Sequence, residues 1–242
     1  MQLAEQFDRA AGRYDLLTRL NPGYHGALRS AADALVARLG TTTRPTLWDL
    51  GCGSGLSTRA LLDALAAAGF DRSRVVGLDA SAGMLDQARA KGWPEGVSFV
   101  EAVAQDLPEV AAREVDGPAD GALAAYLMRN VPQDQRDAVV RAIRDQLRPG
   151  GWVALQDYHV KGEAVPTAIW TVVCWAVVLP LAAVVRGNPS IYRYLWRSVL
   201  DNDSTADLQA RLERAGLTDI TWSTARGWQR GILHTVLARR PA

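Results

Sequence analysis

Residues 46–56 constrain the fold more than any other part of the chain. A short apolar run, 46–50, leads into Asp49-Leu50-Gly51-Cys52-Gly53-Ser54-Gly55, and a helical pattern starts at Leu56. A strand, three alternate glycines and a helix in that order make an αβ turn. The glycines let the backbone take positive φ and let a ligand approach the main chain closely. The helix N-terminus then offers free N–H groups to a negative or polar ligand group. The spacing is G-x-G-x-G after an acidic residue, not the G-x-G-x-x-G of pyrophosphate sites. A carboxylate at Asp49 would repel a pyrophosphate but suits a ligand carrying an ammonium group. The alternative is a glycine-rich turn that binds nothing.

The pattern around this turn alternates. Helices are predicted over 3–14 and 27–39, before the turn. After it come a helix over 56–68, a strand over 74–78 and a helix capped by Ser81 that runs to about residue 91. Strands over 97–100 and 121–126, a helix over 133–147 and a strand over 152–157 follow. Residues 108–118 give no clear signal. A helix over 204–215 and strands over 220–224 and 232–239 close the chain. Alternation of this kind requires a parallel sheet with helices on both faces. The two consecutive strands at the end predict an antiparallel hairpin. The 242 residues suffice for one α/β domain.

Charge and cysteine usage exclude some classes. A net charge of +1 gives no reason to expect nucleic acid. Cys52 and Cys174 lie far apart without metal-ligand spacing, so no metal is expected and a reduced cytoplasmic chain is the simplest reading. The polar N-terminus reads as no signal peptide. Residues 164–185 carry no charge and are about long enough to span a bilayer. A span there would put the last strands across the membrane from their sheet, which argues against one. Two readings lead, a lid over an apolar substrate or a face dipping peripherally into the inner membrane surface beside Arg186, Arg193 and Arg197; the plainer alternative is a homodimer interface or added core.

Other residues point to a site. Asp79 ends the second strand, where a carboxylate can accept both hydroxyls of a ribose; a turn aspartate is the plainer reading. Met84 could pack on an adenine or in the core. Arg129 opens the loop after the fourth strand, at the edge where open α/β sheets bind ligands. It could stabilise an anion or sit in a surface salt bridge. Asp157, His159 and His25 are candidate proton acceptors, Asp157 lying at the ligand edge of strand five.

The run DLGCGSG, GLDASAGML and LRPGGWVAL resembles the series of class I S-adenosylmethionine-dependent methyltransferases. Phe7-Asp8 with Tyr14-Asp15, Arg129-Asn130-Val131 and Tyr192-x-Tyr194-Leu195 are similar to the ubiquinone/menaquinone-biosynthesis C-methyltransferases (the UbiE/MenG group). The resemblance implies a Rossmann-like α/β fold: a seven-stranded, mostly parallel sheet, a terminal antiparallel hairpin and a helical lid insertion. It divides one domain into N-terminal helices over the cofactor (1–40), a cofactor-binding core (46–157), a lid (158–200) and a terminal helix and hairpin (201–242). It implies S-adenosylmethionine as cofactor, held by Tyr14, Asp49, Gly51, Cys52, Gly53, Gly55, Asp79, Ala80, Met84, Ala104, Gln105, Asp106 and Tyr126. Arg129, Asn130, Asp157 and His159 would serve a small aromatic or prenylated acceptor, methylated on carbon or, less favoured, on oxygen. One departure stands out. Val103 occupies the position where the family has an Asp or Asn for the adenine amino group. Gln105, Asp106 or a backbone carbonyl must then replace it. The rivals are a methyltransferase for small phenols and a nucleotide-binding protein that has kept the fold.

Overall fold

The computed structural model describes residues 23–180 and 189–242. The predicted helix over 3–14, with Tyr14, lies outside them, as do Arg186 and the end of the apolar run. Helix α1 (Tyr24–Val36) precedes β1 (Thr46–Leu50), α2 (Leu56–Ala67), β2 (Arg74–Asp79), α3 (Ala82–Arg89) and β3 (Val97–Glu101). Then come α4 (Leu107–Glu114), β4 (Ala119–Ala125), α5 (Arg136–Gln146) and β5 (Leu147–Tyr158). Helix α6 (Ala164–Val173) runs on into a π-helical turn, Cys174–Val178. The chain ends with α7 (Pro189–Leu200), α8 (Thr205–Arg214), β6 (Thr218–Thr224) and β7 (Leu233–Arg239).

The seven strands form one sheet in the order β3-β2-β1-β4-β5-β7-β6. The pairings from β3 to β5 are parallel, and β7 runs antiparallel to both β5 and β6. This is the expected doubly wound sheet with its terminal hairpin. Strands β1 and β4 are adjacent, with Leu50 opposite Ala124. The chain leaves β1 towards β2 and leaves β4 towards β5. Their carboxyl ends therefore open a crevice, the place where such sheets bind ligands.

Alternation along the strands builds two cores. Leu47 and Val75 face α1 and α2, packing with Leu28, Leu35, Leu61 and Leu65. Trp48, Leu50, Val76 and Leu78 face α4, α5 and α8, packing with Val110, Ile143 and Leu212. Burial on both sides explains why β1 and β4 read as nearly unbroken apolar runs. The edge strand β6 is polar and largely exposed.

Two differences from the expected elements have physical causes. Residues 107–114 form a helix, with Pro108 at its first positions and Glu109 in its first turn, both favourable there. Strand β5 starts at Leu147, because Leu147 pairs with Ala119 and the strand bulges through the Pro-Gly-Gly segment. Among the described residues no helix is long and apolar enough to cross a membrane.

A buried charge cluster fastens the segment after α7 to α5 and α8. Asp203 binds Arg136 at 3.0 Å and Arg211 at 2.7 Å, and Arg211 also reaches Asp137 at 2.6 Å. Arg136 donates to the Val131 carbonyl at 3.0 Å, so the cluster also braces the loop after β4. Asp203→Ala would leave the buried Arg136 without its ionic partner, while Arg211 keeps Asp137. The expected cost is roughly 3–5 kcal/mol, and at about 2–4 °C per kcal/mol thermal melting should fall by about 10 °C. Asp33→Ala, which breaks an exposed pair with Arg29, should change stability by under about 0.5 kcal/mol. Equal melting temperatures for the two variants would refute the bracing role.

Candidate active site

The crevice holds a cavity of about 310 Å³. The turn after β1 forms one side of it. Gly53 has φ +52 and donates its N–H to Asp79 Oδ2 at 2.8 Å. Asp79 Oδ1 accepts the Ser81 N–H at 2.9 Å. One carboxylate thus ties the β1 turn to the start of α3, whose N-cap Ser81 accepts the Met84 N–H at 3.2 Å. Gly55 takes φ +84 at the start of α2, and a Cβ there would stand 2.7 Å from Trp93 Cζ2. An alanine at 55 would therefore be strained and would collide.

Asp49 is fully buried below this turn. Its Oδ2 accepts from Ser57 Oγ at 2.8 Å and Thr58 Oγ1 at 2.5 Å. Its Oδ1 is buried without a hydrogen-bond partner. Burial pushes the carboxyl up to about 7, against the hydrogen bonds from Thr58 and Ser57, with the nearby Asp79 charge adding to the rise. The arrangement leaves one oxygen facing no donor from the chain itself.

The end of the cavity beyond β3 is mostly apolar. Met84, Ala102, Val103, Ala104 and Gln105 line it. Val103 is 43% exposed. Asp106 is exposed and does not line the cavity, so of the two side chains expected to compensate for Val103 only Gln105 lies there.

The β4 side is aromatic and cationic. Tyr126 has φ +59, a left-handed conformation that a bulky residue rarely adopts. Its ring stacks on Tyr24 with centroids 5.1 Å apart and 12° between planes. Tyr158 follows at 5.3 Å from Tyr126, and Trp170 of α6 at 4.8 Å from Tyr158. The Arg129 guanidinium sits 5.3 Å from the Tyr126 centroid and 5.9 Å from that of Tyr158. Asp157 holds Arg129 twice: NH1 donates to Oδ1 at 2.7 Å and the backbone N–H to Oδ2 at 3.1 Å. The side chains are only 9% and 3% exposed. Asn130 donates to the Tyr126 carbonyl at 3.0 Å and accepts from the Tyr194 hydroxyl of α7 at 3.2 Å. Burial raises the Tyr194 phenol above its ordinary value, against the lowering effect of Arg129.

Of the residues singled out in the sequence, Gly51, Cys52, Gly53, Asp79, Ala80, Met84, Ala104, Gln105, Tyr126, Arg129 and Asn130 line this one cavity. Gly55 caps α2 behind the lining. Asp157 stands behind Arg129 with both oxygens engaged, Oδ1 also accepting the Tyr158 N–H at 2.9 Å. His159 does not line the cavity. It is buried 5.7 Å from the His234 ring and 5.9 Å from Trp222, and neither of its nitrogens has a hydrogen-bond partner. Burial pushes it down to about 4, so it is neutral near pH 7. His25 packs edge-on against Tyr24 at 5.7 Å. Among the described residues no group of three or more His, Cys, Asp or Glu side chains could hold a metal ion. Tyr24 was not anticipated. Its only sequence signal is an aromatic at the start of α1, and its stacking on Tyr126 spans a separation that no local pattern reports.

Residues 48–151 match a family described as a methyltransferase domain. A demethylmenaquinone methyltransferase from Beutenbergia cavernae is 30% identical over 99% of this chain and 91% of its own. A ubiquinone/menaquinone biosynthesis C-methyltransferase from Methylobacterium nodulans is 31% identical over 90% of this chain and 83% of its own. Among solved structures, magnesium protoporphyrin IX methyltransferase from Synechocystis PCC 6803, with S-adenosylhomocysteine bound, superposes with a TM-score of 0.63. It is 15% identical and covers 98% of each chain, a likeness of fold.

The state of Asp49 has a measurable consequence. Between pH 3.8 and about 7 the native state keeps a proton that the unfolded chain has released. This group therefore removes stability as the pH rises through that window. Asp49→Asn cannot ionise and lacks the effect. Denaturant midpoints at about pH 5 and about pH 8 should fall more for the wild type than for the variant, and identical falls would show that Asp49 is not the linked group.

Proposed function

This chain belongs to the S-adenosylmethionine-dependent methyltransferases, in the family of its ubiquinone/menaquinone-type relatives, and on that premise we propose that it methylates a lipophilic aromatic acceptor of the quinol type, on carbon. The reading rests above all on Arg129, a guanidinium fixed by a buried carboxylate among aromatic rings on the cavity wall.

The residues present fit the cofactor. The orphaned Oδ1 of Asp49 suits the ammonium of a methionine group, and Gly51 and Gly53 bring the backbone of the turn to the cavity lining. Asp79 would take the ribose hydroxyls, Met84 and Ala104 the base, and the Gly51–Gly53 backbone the methionine part. Bound there, S-adenosylmethionine supplies an electrophilic methyl group; the chain positions the acceptor beside it.

Carbon methylation of a phenolic ring needs the ring near its phenolate form. Arg129 would stabilise that anion without being consumed. Its ion pair with Asp157 fixes the guanidinium in advance, so little reorganisation remains when charge develops. Asp157 is in this reading a positioning residue rather than a base. Asn130, held by Tyr126 and Tyr194, keeps the loop after β4 in place. The stacked rings of Tyr24 and Tyr126 on the lining, backed by Tyr158 and Trp170, offer an aromatic surface for a ring. Outside it, α6 and its π-turn expose Val165, Ile169, Val172, Trp175 and Val177. That face supports an acceptor with an apolar tail, delivered at a membrane surface.

Transfer of a labelled methyl group from S-adenosylmethionine to demethylmenaquinol should exceed transfer to water-soluble phenols. If only the soluble phenols are methylated, the lipid acceptor is wrong and a small-phenol methyltransferase is the better reading. Arg129→Ala should lower kcat by roughly a hundredfold while leaving the dissociation constant for S-adenosylhomocysteine nearly unchanged. Equal losses in both would reassign Arg129 to cofactor binding.

A further inference from the structure

The two halves of the glycine turn are held from different sides. Asp79 ties down the first half through the Gly53 N–H. The second half, the peptide between Ser54 and Gly55, is gripped by the segment that follows α3. Lys91 Nζ donates to the Ser54 carbonyl at 2.7 Å. The N–H of the same peptide, on Gly55, donates to the Cys52 carbonyl at 2.9 Å. Both polar ends of this peptide are engaged, so its plane cannot turn without breaking a hydrogen bond.

Trp93 stands against the same peptide. A Cβ on Gly55 would lie 2.7 Å from its Cζ2 and 3.0 Å from its Cη2, so the indole edge rests on the glycine itself. The indole is pinned in turn. Its Nε1 donates to the Ala88 carbonyl of α3 at 2.7 Å, the Arg59 guanidinium of α2 lies 4.5 Å from its ring centroid, and the Phe99 ring of β3 lies 5.2 Å away. Arg59 also donates to the Gly92 carbonyl at 3.2 Å. Three consecutive residues, 91 to 93, therefore hold the end of the turn and the start of α2. None of the three lines the cavity.

Gly51, Gly53 and Gly55 take φ +70, +52 and +84, and glycines left to themselves sample many other shapes. The first N–H groups of α2 have no partner within the helix, and Leu56 and Ser57 lie on the cavity lining. The direction of those donors is set by the 54–55 peptide that leads into the helix. On the cofactor reading above, we infer that Lys91 and Trp93 are positioning residues for the amino-acid end of the cofactor. They hold the entry to α2 from outside the cavity, so that its first N–H groups meet that end's carboxylate.

Calorimetric titration of the full chain with S-adenosylhomocysteine and with 5′-methylthioadenosine tests this without turnover. The second compound keeps the adenosine and the sulfur but lacks the amino-acid end. Lys91→Met should weaken binding of S-adenosylhomocysteine by about fivefold, the worth of one hydrogen bond, and leave 5′-methylthioadenosine unchanged. Lys91→Arg, which can still donate to the Ser54 carbonyl, should restore most of the loss. Trp93→Leu should show the same selective loss. Lys91→Met should melt within about 2 °C of the wild type, since the lysine is exposed. Equal losses for the two compounds, or no loss for either in both Lys91→Met and Trp93→Leu, would overturn the inference while leaving the cofactor reading intact. No binding of S-adenosylhomocysteine to the wild type would overturn the cofactor reading, and this inference with it.

Discussion

Two parallel strands at the centre of the sheet, β1 and β4, lie side by side while the chain leaves them in opposite directions. Everything in the candidate site depends on that split. The crossovers leave from their carboxyl ends to opposite sides, which opens a crevice there. The turn after β1 supplies one side of the resulting cavity and the loop after β4 the other. Neither could be made by a strand pair whose connections ran the same way.

Carboxylates hold the two sides in different manners. Asp79 spends hydrogen bonds on the backbone of Gly53 and Ser81, so the glycine turn keeps its shape although glycine alone would favour many. Asp157 holds Arg129 by side chain and backbone together, in surroundings that admit little water. Such a pair gains little net stability, since removing both charges from water offsets their attraction. Its value is positional. Asp49 is the exception, a buried carboxyl with one oxygen unanswered and a proton held to about 7. A buried polar atom left unsatisfied in this way costs stability.

Much of the scaffold was legible along the chain. The apolar runs of β1, β2 and β4, the helix starts at Ser81 and Ser204, and the glycine turn each have local causes, namely side-chain alternation, capping and backbone freedom. Part of the cavity lining was legible too, because in this fold residues at strand ends converge, although Asp49, Gly55, Asp106, Asp157 and His159 do not line it. Helix α4 was missed, although Pro108 and Glu109 are ordinary starting signals. Its apolar residues, Leu107, Val110 and Ala111, are too few in eight positions to show a period. The roles of Asp157 and His159 were not legible. Both lie at the end of the same strand, yet one supports Arg129 and the other is buried beside His234 and Trp222.

The sequence by itself determined the parallel sheet, the αβ turn and the family, because these depend on periodicity and on residues close together in the chain. Only the tertiary structure decided what each polar group is spent on. Arg129 meets Asp157 across twenty-eight positions, Gln105 meets Gln135 across thirty, and Tyr24 stacks on a tyrosine in the next strand layer. A side chain's chemistry is settled by whichever partner reaches it first in three dimensions. That partner is chosen by the packing of whole elements, which no stretch of sequence specifies alone.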